Sequence, residues 1–307
     1  MAEIGIGMLG SGFIGEFHAD GLRYVRDARV VANWGAGSER RTAFATRFGS
    51  RALDSIDAVC ADPDVDLVVV SLPNHLHLEA VRSAASHGKA VACTKPLGRN
   101  GDEAAEMLRL VTEAGVFHAY LENVVFNAEM IRMREIVESG AIGRLTTFRA
   151  REGHSGPHAA HFWDAELAGG GAILDMASHG AEAARAMFGK DLAVRDVFAW
   201  GDTLVHGGRI VQDIISSPLR AFIERPAGYL GEKVDADTGW VYPVPNETYA
   251  HGHDAMMADV VNALRDGRAP QETFEDGLIV NRILDAAYRS IRSGRWESLE
   301  QPAATPA

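Results

Sequence analysis

Residues 4–15, which read IGIGMLGSGFIG, place a glycine-rich turn between an apolar run and a helical pattern. Ile4–Leu9 predicts a buried strand, and Phe13–Arg26 predicts a helix. In that setting the first glycine permits a tight turn, the second admits a pyrophosphate, and the third lets helix and strand pack closely. The helix N-terminus adds partial positive charge. The dinucleotide-binding residues predicted from this motif are Gly10, Ser11, Gly12, Phe13, Ile14 and Gly15. A tight turn without a ligand is the alternative.

The same alternation of short apolar runs and helical patterns continues to about residue 122. Asp66–Leu72 is an almost continuous Val/Leu run, which is typical of a strand buried on both faces of a parallel sheet. Strands that alternate with helices of this length indicate right-handed βαβ units. We therefore predict an α/β fold, with a doubly wound Rossmann domain over residues 1–122.

The pattern changes in the second part of the chain, residues 123–307. Helices there are interspersed with strand-like runs at Leu145–Glu152, Val194–Trp200, Arg209–Ile214 and Leu219–Ile223. This mixture predicts an α+β domain with an open-faced mixed or antiparallel sheet. We expect this domain to bind substrate and to form subunit contacts.

Composition limits the classes of partner. The 307 residues include 30 Lys+Arg and 42 Asp+Glu, a formal net charge of −12, and so acidic a surface disfavours nucleic acid as the main partner. No apolar run approaches the ~20 residues that span a bilayer, and the first ten residues lack the features of a secretory signal. Two cysteines, Cys60 and Cys93, cannot form a disulfide framework. These features favour a cytoplasmic protein.

The end of the second strand bears on the choice of cofactor. An acidic residue commonly stands there to bind the adenosine ribose, but here Gly35–Gly37 is followed by Ser38 and Arg40. Small residues and positive charge leave room for a 2′-phosphate, so we expect NAD(P) with a lean to NADP. The alternative is that Arg40 and Arg41 are solvated helix residues.

Three later segments supply candidate chemistry. Pro73, Asn74 and His77 follow one predicted strand, Lys95 follows the next, and Asp175 and His179 stand on the helix after Gly169–Gly171. Asp175 and His179 are four residues apart and share a helix face. Facing a nicotinamide, Lys95 would hold a substrate hydroxyl and His179 would accept its proton, and Asp175 would stabilise the imidazolium or fix its tautomer. Singly, such residues are usually a core histidine, a surface lysine and a helix-dipole partner.

These residues together resemble the glucose–fructose oxidoreductase/inositol dehydrogenase (Gfo/Idh/MocA) family across most of the chain. The resemblance lies in the glycine loop with His18, Pro73-Asn74 with His77, Lys95-Pro96, Gly140–Gly143, Gly169–Gly171, and Asp175 with His179. It implies NAD(P)-linked oxidation or reduction of a sugar, polyol or inositol-like substrate. It further implies a homodimer or homotetramer. The catalytic group would be Lys95, Asp175 and His179. Pro73, Asn74, His77 and Lys95 would join the cofactor site.

The chain also departs from the family pattern. Thr94 replaces the glutamate expected before Lys95, and Val125 stands where an arginine is expected after Asn123. The part after His179 is short for the family's sheet, so we expect strands to be missing after about residue 206. Either an internal deletion or an absent stretch would explain this, and the latter predicts a spatial gap near Gly207–Arg209.

A His-rich segment before the glycine triplet suits a ligand with many hydroxyl groups, because it offers both donors and acceptors. The predicted substrate-binding residues are Lys95, Glu122, Asn123, Arg151, His154, His158, Trp163, Asp175 and His179. The histidines at 154, 158 and 161 also suggest a metal, but Gly156 and Pro157 would break the helix that aligns them, so we predict no metal. A solvated loop is the remaining alternative.

The sequence therefore predicts an NAD(P)-dependent oxidoreductase acting on CH–OH groups. Two other functions stay open. One is glycoside cleavage through transient oxidation by the same residues. The other is a non-catalytic cofactor-sensing regulatory protein, which the complete set of Lys95, Asp175 and His179 disfavours.

Overall fold

A computed structural model of the protein describes residues 3–152, 159–203, 222–223, 239–240 and 250–299. Its main sheet has the strands β1 Ile4–Leu9, β2 Ala28–Trp34, β3 Arg51–Ala52, β4 Leu67–Val70, β5 Ala90–Thr94 and β6 His118–Leu121. The six strands are parallel, in the order β3-β2-β1-β4-β5-β6. The predicted doubly wound Rossmann domain is thereby confirmed.

Helices cover both faces of this sheet. They are α1 Phe13–Leu22, α2 Ser38–Phe48, α3 Ile56–Ala61, α4 His77–Ser86 and α5 Gly101–Ala114. Every residue of β1, β4 and β5 is buried, as expected for central parallel strands with helices on both sides. The carboxyl ends of these strands carry the glycine loop, Pro73-Asn74 and Lys95.

The second part of the chain is mostly helical where it is described. Its helices are α6 Ala128–Glu138, α7 Ala165–Ala168, α8 Ala172–Phe188, α9 His253–Asp266 and α10 Phe274–Ser293. Short three-ten helices span Asn74–Leu76, Asn123–Phe126 and Ala160–Trp163. Two antiparallel pairs are present: β7 Asp196–Val197 with β10 Glu297–Ser298, and β8 Phe222–Ile223 with β9 Gly239–Trp240.

The two C-terminal helices return to the Rossmann domain. Helix α9 packs on α1, and α10 packs on both α5 and α8. A Cβ on Gly277 of α10 would lie 3.0 Å from the Cβ of Leu97, so the small residue allows close approach. Helix α10 therefore bridges the sheet and the helix that carries Asp175 and His179. The boundary near residue 122 stays a prediction.

The predicted strand at Leu145–Glu152 is wrong, because these residues have no strand pairing in the described structure. Leu145 and Phe148 instead pack against Met130 and Met187 of α6 and α8. Of the predicted strand Val194–Trp200, only β7 forms in the described structure. Arg209–Ile214, most of Leu219–Ile223 and the expected gap near Gly207–Arg209 lie outside the described residues. No helix in the described ranges combines the length and apolar character that a bilayer crossing requires.

Candidate active site

The glycine loop is shaped to receive a phosphate-bearing ligand. Gly10 has a φ of +118°, and a Cβ there would lie 2.1 Å from the carbonyl oxygen of Ser71. A Cβ on Gly15 would lie 2.1 Å from the carbonyl oxygen of Gly10. A Cβ on Gly12, in contrast, meets no atom within 4 Å. The first and third glycines are thus required by the protein's own packing, whereas the space above Gly12 fits a dinucleotide pyrophosphate at the start of α1.

The rest of the loop is fixed to neighbouring elements. The Asn33 side chain donates to the Ser11 hydroxyl at 3.3 Å and to the carbonyl oxygen of Arg41 at 3.1 Å, which ties the loop to the end of β2. Phe13 and Ile14 are half-buried residues of the first turn of α1, and the Phe13 ring lies 4.8 Å from that of Phe17. The loop therefore has a defined shape before any ligand arrives.

At the adenosine end of the predicted site, one arginine has no ion pair among the described residues. Ser38 and Arg40 are exposed at the start of α2. The Arg40 Nε lies 3.3 Å from the position of a Cβ on Gly37, so the side chain folds back over the end of the turn. Arg41 pairs with Asp54 at 3.0 Å, whereas Arg40 has no ion pair in the part of the chain that the structure describes.

The residues after β4 hold loops together. Pro73 is half-buried. The Asn74 side chain is buried and donates to the carbonyl oxygen of Ala168 at 2.7 Å. His77 has no exposed surface, and its Nε2 lies 2.8 Å from the carbonyl oxygen of Leu72.

The Nδ1 of His77 lies 3.1 Å from the carbonyl oxygens of Pro96 and Leu97. Burial lowers the pKa of this imidazole. Among the described residues, both ring nitrogens of His77 lie within hydrogen-bond distance of backbone carbonyls, and its contact with a cofactor stays a prediction. Its position joins the loop after β4 to the loop after β5.

Lys95 and Asp175 form an ion pair between the sheet and α8. Lys95 follows β5, where the Lys95–Pro96 peptide bond is cis. Its Nζ donates at 2.7 Å to the Asp175 Oδ1 and at 2.7 Å to the Asp175 carbonyl oxygen. The two side chains keep 19% and 15% of their surface exposed. The two hydrogen bonds therefore hold both side chains in place, and part of their surface stays exposed for a ligand to contact.

His179 has a different carboxylate partner from the one predicted. Its Nδ1 lies 2.6 Å from the Oε1 of Glu122, which also accepts from the Val124 amide at 3.1 Å. Glu122 has no exposed surface, so in this structure it acts on the site through His179, and its direct contact with substrate stays a prediction. Asp175 pairs with Lys95, so Glu122 and not Asp175 holds the Nδ1 of His179 in this structure, and a role of Asp175 in stabilising the imidazolium stays a prediction.

The ionisation of Glu122 follows from its neighbours. Burial by itself raises the pKa of Glu122, but the His179 charge, its hydrogen bond and the nearby Lys95 outweigh that effect and lower the pKa overall. An ionised carboxylate only accepts hydrogen bonds, so the Nδ1 of His179 is the donor. In the neutral ring, Nε2 then carries the lone pair and can take a proton.

The remaining predicted residues are dispersed. Asn123 donates to the carbonyl oxygen of His251 at 2.8 Å, and Arg151 is exposed. Trp163 is half-buried at the end of a three-ten helix. His154 and His158 lie outside the described residues. Val125, at the position where the family pattern has arginine, is buried in the apolar core.

One further histidine lies beside this site. His161 is half-buried and stacks on Phe162 with ring centroids 4.3 Å apart. Burial lowers its pKa, and it lies close enough to His75, His77 and Asp175 to interact electrostatically with them. The sequence marked it only as one of three clustered histidines, because nothing in the local pattern showed that it reaches Asp175.

Comparison with protein-family models gives two matches in series. Residues 4–121 match an oxidoreductase family model with an NAD-binding Rossmann fold. Residues 130–252 match a GFO/IDH/MocA C-terminal domain. The two models together cover well over half of the chain.

Known proteins resemble the chain over different lengths. Levoglucosan dehydrogenase from Pseudarthrobacter phenanthrenivorans is 30% identical over 217 residues, which is 65% of this chain and 55% of that protein. The chain thus spans little more than half the length of that relative. Inositol 2-dehydrogenase from Rhizobium meliloti is 28% identical, with 95% of this chain and 98% of that protein covered.

Solved structures share the fold. GenD2 from gentamicin A biosynthesis, solved in complex with NAD, superposes with a TM-score of 0.85 at 24% identity. The match covers 98% of this chain and 97% of that one.

Proposed function

The chain belongs to the GFO/IDH/MocA oxidoreductase family, and from that membership we propose that it is an NAD(P)-dependent oxidoreductase of sugar or polyol substrates. It would transfer hydride between the nicotinamide and a hydroxyl-bearing or keto carbon. The names of its relatives, which include levoglucosan and inositol dehydrogenases, support this substrate class.

The observation that carries the proposal is the ion pair of Lys95 with Asp175, at an Nζ–Oδ1 distance of 2.7 Å, because Asp175 stands on the same helix as His179. Lys95 comes from the end of a Rossmann strand and His179 from the opposing helix. Substrate between them would meet a fixed cation on one side and a proton acceptor on the other. Such an arrangement suits proton removal from a hydroxyl group.

Each residue of the site would have a defined task. The bound nicotinamide supplies the hydride acceptor or donor. The Lys95 ammonium, oriented by Asp175, binds the substrate oxygen and stabilises negative charge that develops on it. The Nε2 of His179 accepts the hydroxyl proton. Asp175 keeps Lys95 in place and balances its charge.

We also propose that NADP is preferred and that the protein is a homodimer or homotetramer. Arg40 near Gly37 has no ion pair among the described residues, and its guanidinium supports binding of a 2′-phosphate. Exposed aromatic side chains support a subunit contact: Phe198, Trp200 and Trp296 are 50%, 75% and 69% exposed. Light scattering of the purified protein tests the oligomer, and a monomer would contradict it.

The function is tested by following reduced nicotinamide absorbance with NAD⁺ or NADP⁺ and a panel that includes levoglucosan and myo-inositol. We expect sugar-dependent reduction that is lost in Lys95→Ala and His179→Ala. His87→Ala, at an exposed histidine paired with Asp57, is the matched control and should stay active. Cleavage of a glycoside without net cofactor reduction would contradict the proposal.

A further inference from the structure

A line of buried polar residues leads away from His179 into the protein. His179 and Glu182 are three residues apart on α8 and share one helix face. Tyr120 lies in β6 and Glu122 directly follows that strand, and the Tyr120 amide donates to the carbonyl oxygen of Glu272 at 3.0 Å. Tyr120 interacts electrostatically with Glu122, Glu182 and Glu272. We call these five residues the buried seam.

The seam contains polar atoms that the described residues leave without a hydrogen-bond partner. They are the Glu122 Oε2, the Tyr120 hydroxyl, the Glu182 Oε1 and the Glu272 Oε2. All four side chains belong to residues with at most 2% exposure. Buried polar atoms nearly always have a hydrogen-bond partner. We therefore expect internal water or shared protons to supply the partners of these four atoms.

The inner end of the seam joins a cluster of charges. The carboxylates of Glu182, Glu272 and Asp276 approach to within 4.8 Å of one another. The Lys190 Nζ lies 3.7 Å from Glu182, 2.8 Å from Glu272 and 3.0 Å from Asp276. Arg185 pairs with Glu182 at 2.5 Å and Asp276 at 3.0 Å. Lys190 thus occupies the position that a metal ion would take.

If all three carboxylates were ionised, they would outnumber the two cations, Lys190 and Arg185, by one charge. Burial raises the pKa of Glu272 to about 9 and that of Glu182 to about 7. Glu272 therefore keeps its proton at neutral pH, and Glu182 can gain or lose one. Lys190 keeps 30% of its side-chain surface exposed, so the residue that binds all three carboxylates is itself in contact with solvent.

We propose that the buried seam is a proton path from His179 to solvent at Lys190, separate from the substrate cleft. The inference deepens the proposed function, since the proton entering the path is the one that His179 takes from the substrate hydroxyl.

The transfers balance at each step. His179 binds the substrate proton on Nε2 and passes its Nδ1 proton to Glu122. Glu122 passes a proton to the Tyr120 hydroxyl, directly or through water, while that hydroxyl gives its own proton to Glu182. Water beside Lys190 then removes the proton from Glu182. One proton has then moved from substrate to solvent. Glu122, Tyr120 and Glu182 end as they began, whereas His179 ends with its proton on Nε2 and must return to the Nδ1–H tautomer, by exchange of its ring protons with water, before it can accept another substrate proton.

The path can be tested without turnover. In protein labelled with ¹⁵N-histidine, magnetisation transfer from water measures the exchange rate of the His179 Nδ1 proton. Tyr120→Phe keeps the ring that lies against Gly277 and removes only the hydroxyl. We expect exchange to slow about tenfold or more. Tyr24→Phe, at a tyrosine that is 71% exposed, is the matched control and should leave the rate unchanged.

Glu182→Gln, which removes the carboxylate that accepts the Tyr120 proton, is the second variant and should also slow exchange, so the test does not depend on the folding of Tyr120→Phe. Equal exchange rates in wild type and both variants would overturn the path. Because exchange needs no substrate, failure of the sugar panel would overturn the proposed function and leave this result standing.

A kinetic readout separates the path from a structural role. With a panel sugar, Tyr120→Phe should keep the KM and a first-turnover burst of reduced cofactor, while steady-state kcat falls. Added imidazole, which enters through the cleft, should restore part of the rate. A variant that loses the burst together with kcat would indicate damage to the site and overturn the kinetic argument.

Discussion

The side-chain amide of Asn74 donates a 2.7 Å hydrogen bond to the carbonyl oxygen of Ala168, and so joins the loop after β4 to the end of α7. Both partners are buried. The bond crosses from the nucleotide domain to the segment just before Gly169, and thus sets the position of the helix that carries Asp175 and His179.

Removing this bond should loosen the site. In Asn74→Ala the Ala168 carbonyl loses its partner, and we expect a loss of about 1–3 kcal/mol in the free energy of unfolding, together with a higher KM for sugar. Asn100→Ala is the matched control, because Asn100 only caps α5 through the Glu103 amide at 2.9 Å. It should lose stability without a change in KM. Thermal unfolding and steady-state kinetics measure both, and parallel changes in the two variants would contradict the prediction.

The glycine loop offers a matched pair of variants. Gly12→Ala places its methyl group in open space, so it should unfold at nearly the wild-type temperature but bind cofactor at least tenfold more weakly. Gly15→Ala meets the Gly10 carbonyl at 2.1 Å and should fold poorly. Calorimetry and fluorescence titration with NADPH distinguish the two effects. Tight cofactor binding by Gly12→Ala would argue against a pyrophosphate at this position.

Arg40→Asp should weaken NADP binding much more than NAD binding. A carboxylate would replace the guanidinium near Gly37, and a phosphate contact of this kind contributes about 1.5–3 kcal/mol. Arg132→Asp, at an exposed arginine of α6, is the control for added negative charge. Isothermal titration with both cofactors gives the ratio, and equal weakening of the two would refute the 2′-phosphate contact.

Glu272→Gln should change how stability depends on pH. The folded-state pKa of Glu272, raised to about 9 by burial, lies above the ordinary value of 4.5. A raised carboxyl pKa makes a stability contribution that is complete below the unfolded value and is lost as the pH rises through the folded one. Wild type should therefore lose stability between about pH 4.5 and pH 9, and Glu272→Gln should lose less.

At pH 8 we expect Glu272→Gln to melt several degrees above wild type, about 2–4 °C for each kcal/mol gained. Melting curves from pH 5 to pH 9 provide the measurement. A variant that melts below wild type throughout that range would show that Glu272 acts as an ionised partner of Lys190.

Glu122→Gln should act in the opposite direction on the acid side. The folded pKa of Glu122 is lowered from 4.5, so its contribution is present above the unfolded value and is lost as the pH falls through the folded one. The variant keeps the shape but lacks the charge, so its melting temperature should fall less between pH 6 and pH 4. A decline as steep as that of wild type would assign the acid sensitivity to other carboxylates.

The sequence predicted the Rossmann half well because its signals are local. A glycine turn next to a strand, and a continuous Val/Leu run such as β4, can be recognised from residues that are only a few positions apart. Lys95 was found in the same way, as the polar residue that ends a buried strand.

The pairings were harder to predict because they depend on contacts distant in the sequence. Glu122 and His179 are 57 residues apart, and nothing near either residue shows that α8 lies over the end of β6. The four-residue spacing of Asp175 and His179 predicts that their side chains interact. In the structure, Asp175 pairs with Lys95 instead. His77 carried a family motif, yet its ring is enclosed by three backbone carbonyls, which only the fold reveals.

The return of the last helices to the first domain bears on the order of events during synthesis. Met256, Met257, Val260 and Val261 of α9 share one apolar core with β1 and β4, and Phe274 and Leu278 of α10 complete the core on the other face. When the sheet has left the ribosome, these covering residues are still untranslated, and both faces carry apolar surface in contact with water. We therefore expect the nascent nucleotide domain to bind chaperones until about residue 290 has emerged, and to reach its native packing only after release.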